Sequence, residues 1–105
     1  MQLILNNGEK FTVTSFTESL SFRTEEEIGR KANIDLSINI AYYDSIEDLI
    51  PILKDNDFSS LEIIDGTGTE KRTYTDYVFN QVSQNFDDFH RVMAMIQLTK
   101  SIPLD

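Results

Sequence analysis

The sequence predicts an α+β domain, mainly an antiparallel β-sheet with one short amphipathic helix, in the order β-β-β-α-β-β-β. Three observations carry this expectation. Residues 33–42 alternate strictly: Ile34, Leu36, Ile38, Ile40 and Tyr42 are apolar, while Asn33, Asp35, Ser37 and Asn39 are polar. That is the two-residue period of a strand with one buried face. An Asn7-Gly8 pair separates two β-prone runs near the start, the chemistry of a tight hairpin turn. Ile46, Leu49, Ile50 and Leu53 recur at helical spacing and mark the single amphipathic helix.

The chain of 105 residues is one domain, 1–105, large enough for a single core. Its 40% hydrophobic content, with seven Phe and four Tyr, argues against disorder. No run approaches the roughly 18 apolar residues of a membrane span, and the first residues lack a basic leader. The absence of cysteine removes disulfides, thiol nucleophiles and thiolate metal sites, and suits a reducing cytoplasm.

In chain order, Leu3-Ile4-Leu5 and Lys10 to Thr14 form the expected first hairpin, and Phe16, Leu20 and Phe22 continue the apolar alternation as a bent or second short strand. Thr24 to Lys31 has capping-box spacing but one apolar residue and Gly29, so it reads as a loop or a single helical turn. After the alternating strand, Asp44 with Glu47, or Ser45 with Asp48, supplies the helix cap. Pro51 then requires a kink or a restart with Pro51 in a first turn, because proline in a helix interior costs roughly 3 kcal/mol. Residues 61–64 and 72–79 flank a Gly-rich loop as a second hairpin. For residues 89–99 the alternation of Val92, Ala94, Ile96 and Leu98 favours a strand over a helix, with Asp87-Asp88 as the turn before it and 101–105 as a tail.

Candidate chemistry fails on context. Asp65-Gly66-Thr67-Gly68-Thr69 is like the phosphorylation motif of P-type ATPases, but glycine replaces the motif's lysine, and a hairpin turn accounts for it. Asp55 to Ser59 begins like a calcium loop, but Ser60 and Gly66 stand where glycine and a bidentate glutamate are needed. His90 is the sole histidine and has no cysteine to share a metal with. No convergent acid, base and nucleophile can be named, so the expectation is a non-enzymatic protein without cofactor or metal.

Charge is the informative feature. Of a net charge of −9, seven units fall in residues 32–65, where Asp35, Asp44, Glu47, Asp48, Asp55, Asp57, Glu62 and Asp65 face only Lys54. Such a field repels phosphate and attracts basic protein surfaces, so no direct nucleic-acid binding is expected. The candidate partner-binding residues are Asp35, Asn39, Tyr43, Asp44, Glu47, Asp48, Asp55 and Asp57. Among the tyrosines, Tyr43 and Tyr74 are the expected exposed pair, because Tyr42 and Tyr77 fall on apolar registers.

With Asn7-Gly8, the alternating central strand, and Thr73-Tyr74-Thr75-Asp76-Tyr77 before a final apolar strand, the chain resembles the short acidic proteins encoded by bacteriophages and prophages. That resemblance implies a binding protein acting in the bacterial cytoplasm or in the virion. One expectation is an anti-CRISPR-like inhibitor whose carboxylates occupy the basic nucleic-acid site of an RNA-guided nuclease. The alternative is a tail or virion accessory component built through sheet edges and tyrosines.

Overall fold

The computed structural model describes residues 1–27, 29–54, 61–64, 71–86 and 92–104. Seven strands form one antiparallel sheet: β1 (Gln2–Ile4), β2 (Lys10–Glu25), β3 (Gly29–Ala41), β4 (Leu61–Ile64), β5 (Lys71–Tyr74), β6 (Val78–Phe86) and β7 (Val92–Pro103). Their spatial order is β5-β4-β1-β2-β3-β7-β6. A helical segment between β3 and β4 consists of a 3-10 turn (Ile46–Leu49) followed by α1 (Ile50–Leu53). The mainly antiparallel architecture with one short helix is the one the alternation predicts.

The extra strand comes from residues 72–79, which are two strands and not one. Asp76 between them has φ 64°, a left-handed conformation that ends one ladder and starts another. The break also resets the alternation, so Tyr74 and Tyr77, an odd number of positions apart, both turn inward and are buried. Tyr74 is therefore not the exposed partner of Tyr43. For 24–31 the loop alternative holds and the helical turn does not: β2 and β3 pair as far as Glu25 with Gly29, the latter at φ 89°. One further expectation is corrected. Residues 101–103 are no tail, since Pro103 pairs with Lys31 at the end of β7.

The first turn is longer than two residues. Gly8, at φ 89°, donates its N–H to the Leu5 carbonyl at 2.9 Å, and the Leu5 N–H reaches the Glu9 carbonyl at 2.9 Å. Pro51 resolves as a restart: it occupies the first turn of α1, where its missing N–H costs nothing, and Ser45 caps the preceding 3-10 turn through Oγ to the Glu47 N–H at 3.3 Å.

The even-numbered face of β3 makes the core. Leu36, Ile38 and Ile40 are fully buried beside Leu98, Ile96 and Ala94 of β7, their direct register partners. The sheet is curled over this face. In a flat sheet, β5 and β2 would lie about 14 Å apart, given roughly 4.8 Å per strand. Yet Tyr74 of β5 packs on Phe16 of β2 with ring centroids 5.7 Å apart. The curl begins at the register shift between Val13 and Ser15, where β2 leaves β1 and continues with β3 alone. Leu3, Leu5, Ile63, Leu49 and Leu53 then fill the concavity from above.

Candidate functional site

The end of β3 leads into an acidic exposed surface. Tyr42 is anchored: its N–H meets the Val92 carbonyl at 3.2 Å, its hydroxyl donates to the Ser45 carbonyl at 3.2 Å, and its ring packs edge-on against Phe11. Gln84 of β6 ties the same turn down through Nε2 to the Asp44 carbonyl at 2.8 Å. On this fixed base Tyr43 stands 75% exposed, and Asp44, Glu47 and Asp48 are exposed around it. Burial first, and then the neighbouring Asp48 and Asp44 carboxylates, push the Tyr42 hydroxyl pKa above its ordinary value.

Asp35 and Asn39 do not join this surface. They lie on the odd-numbered face of β3, opposite Leu36 and Ile38, whereas the helical segment bearing Glu47 and Asp48 packs Leu49 and Leu53 into the core on the even-numbered side. The sheet stands between the two groups. Asn39 is half-buried and donates from Nδ2 to Ser15 Oγ at 2.7 Å, within a hydroxyl- and amide-rich face that also holds a Ser101–Asn33 hydrogen bond. Asp35 sits in that face between Ser19 and Thr99 of the adjacent strands. Asp55 and Asp57 lie outside the described residues, as do the Gly-rich loop from Asp65, His90 and the Asp87-Asp88 turn.

Two further surfaces were not marked by charge. A groove of about 440 Å³ runs between the helical segment and β6, with Leu49, Ile50, Phe79 and Val82 in its wall and Glu47 and Lys54 at its rim. The other is the far half of the β2–β3–β7 sheet. Its even-numbered face continues beyond the curl in two rows, Phe22–Ala32–Ile102 and Leu20–Ile34–Lys100. Leu20 is 59% and Phe22 63% exposed. At the boundary, Tyr74 donates its hydroxyl to Glu18 Oε2 at 3.1 Å, Arg72 approaches the same oxygen at 3.6 Å, and Lys100 lies 5.5 Å above the Tyr77 ring. This polar clasp marks where the covered core ends and the open face begins.

Along that open half, β2 is also an edge. Between Thr14 and Glu25 no described strand pairs with its second side, since β1 covers only Lys10 to Thr12. The alternation of Phe16, Leu20 and Phe22 signals the strand, but alternation does not say which part of an apolar face is left uncovered. Among the described residues no three His, Asp or Glu side chains gather as a metal site, and no helix is long and apolar enough to cross a membrane. No protein-family model matches the chain, and the curated proteins contain no sequence match to it.

Proposed function

We propose that the chain is a non-catalytic, phage-type structural component, a virion or tail accessory protein that works by making repeated protein contacts. The observation that carries this reading is the uncovered half of the sheet. Among the described residues no strand pairs with the outer edge of β2 beside exposed Leu20 and Phe22, a surface that monomeric proteins ordinarily shield with charge, proline or a covering element. The test is mass spectrometry of purified particles from a host carrying the coding region. The chain is expected at stoichiometric level in the particles, and particles that assemble without it refute the proposal.

The inhibitor reading keeps one supporting observation, the exposed group Tyr43, Asp44, Glu47 and Asp48. Its wider acidic surface is reduced, because Asp35 and Asn39 face away from that group. In this second reading the four residues meet a basic protein surface of an RNA-guided nuclease through charge-assisted hydrogen bonds. Unimpaired DNA cleavage by the nuclease in excess protein at low salt refutes it.

A further inference from the structure

The open edge of β2 has a register that suits one occupant. We infer that a second copy of this chain adds its own β2 to that edge, antiparallel, about a twofold axis passing through Ser21. This rests on reading the protein as a self-contacting structural component and names the contact.

The choice of register follows from which side chains an antiparallel pair sets opposite each other. Even-numbered residues of β2 share the core face and odd-numbered residues share the other, so partners across the axis must match in parity. Centred on Ser21, Leu20 of each copy faces Phe22 of the other. Two apolar cross-strand pairs form, of the kind that stabilises sheets. Ser19 faces Arg23, Glu18 faces Thr24, and no like charges meet.

The neighbouring registers are worse. Centring on Leu20 sets Glu18, already held by Tyr74, against Phe22. Centring on Phe22 leaves Leu20 against Thr24 and brings Glu18 towards Glu26. Centring on Arg23 opposes two arginines, and centring on Ser19 drives the partner strand towards Phe16, where the Tyr74 ring lies 5.7 Å away.

The pairing also continues what the fold has begun. With the axis normal to the sheet, the row Ile102–Ala32–Phe22 of one copy runs directly into Leu20–Ile34–Lys100 of the other, so five apolar side chains in line, closed by Lys100, cross from one molecule to the next. Leu20 and Phe22, 59% and 63% exposed in the monomer, supply on the order of a few hundred Å² of apolar surface between the two copies. The backbone from Thr17 to Glu25 adds its unpaired N–H and carbonyl groups. The area stands at the lower end of specific interfaces, below about 1,200 Å², which places the dimer at micromolar concentrations rather than nanomolar.

The absence of cysteine allows a direct test. Directly opposed residues of an antiparallel pair have Cα atoms about 4.5–5.5 Å apart, within the range a disulfide spans. In the full chain, Ser21→Cys is expected to form a disulfide dimer under mild oxidation. Ser19→Cys and Arg23→Cys, each four positions from its own copy across the axis, are expected to stay monomeric alone and to cross-link when mixed. Sedimentation of the unmodified chain is expected to show a concentration-dependent dimer, weakened at least tenfold by Phe22→Lys, with circular dichroism confirming that the variant is folded.

A chain that remains monomeric at several hundred micromolar overturns the inference. So does Ser19→Cys cross-linking alone as readily as Ser21→Cys. Particles lacking the chain, with the Ser21→Cys dimer intact, would refute the virion role and leave the edge pairing standing.

Discussion

Two leucines on one face of adjacent strands provide the sharpest check on where the core ends. Leu36 is fully buried between Glu18 and Leu98, whereas Leu20 lies on the same face, in the next row, 59% exposed. Truncating a fully buried leucine to alanine removes its transfer free energy and leaves a cavity, about 3–5 kcal/mol. Leu36→Ala is therefore expected to lose a large share of the roughly 5–15 kcal/mol that holds a domain together, and to lower Tm by more than about 10 °C. Leu20 has only some two-fifths of its surface to lose, so Leu20→Ala should cost less than about 1 kcal/mol. Urea unfolding of both variants at about 0.05 μM, well below the micromolar range in which copies pair, separates the two cases. If Leu20→Ala shifts the midpoint as far as Leu36→Ala at that dilution, the face is covered within the monomer and the open-edge reasoning fails.

Three other outcomes follow from the tyrosines and the turns. Burial first, and then nearby carboxylates for Tyr42, opposing contacts with Arg72 and Glu18 for Tyr74, and Glu18 and Tyr74 for Tyr77, hold all three hydroxyls above their usual pKa. A raised folded-state pKa means that the folded protein keeps these protons more tightly. Their contribution is whole below about pH 10 and fades as pH rises through the folded values, so Tm should fall on the alkaline side while absorbance near 295 nm reports late ionisation. Tyr74→Phe removes the hydrogen bond to Glu18 and should cost about 1 kcal/mol in urea unfolding. Asp76→Gly, at φ 64°, should be neutral or stabilising in thermal unfolding, while Asp76→Val should lower stability by about 1–2 kcal/mol.

The elements with a buried face were readable from their periodicity. Leu36, Ile38 and Ile40 had to point one way, and of the four residues at helical spacing Leu49 and Leu53 are buried and Ile46 partly so. Ile50, expected on the same face, is 61% exposed, because the 3-10 turn passing into α1 breaks the 3.6-residue period. Pro51 announced its own position because only a first turn tolerates it. Less legible were the places where a single backbone conformation decides the outcome. Nothing in Thr75-Asp76-Tyr77 distinguishes a continuous strand from a left-handed break, and that break is what buries Tyr74. Thr24 to Lys31 left a loop and a helical turn open, because capping-box side chains also suit a hairpin tip. Charge density along the chain did not translate into a surface either. Asp35 and Glu47 are close in sequence, but the strand's alternation assigns one to the odd-numbered face while Leu49 draws the other to the even-numbered side.

The position of β7 has a consequence for how the protein reaches its structure. It pairs with β3 through residues about half the chain or more away, from Ala41 with Met93 to Lys31 with Pro103, so the sheet's centre closes late. The β2–β3 hairpin, built from neighbours in sequence, has one long edge that only β7 covers. Asp35 is the one carboxylate in the middle of β3. A newly made chain stacking β3 on β3 in register would bring these charges together, which disfavours the error while β7 is still absent. The residue that its sequence marked as a candidate for gripping a partner sits where a like-charged neighbour would oppose in-register stacking of a second β3.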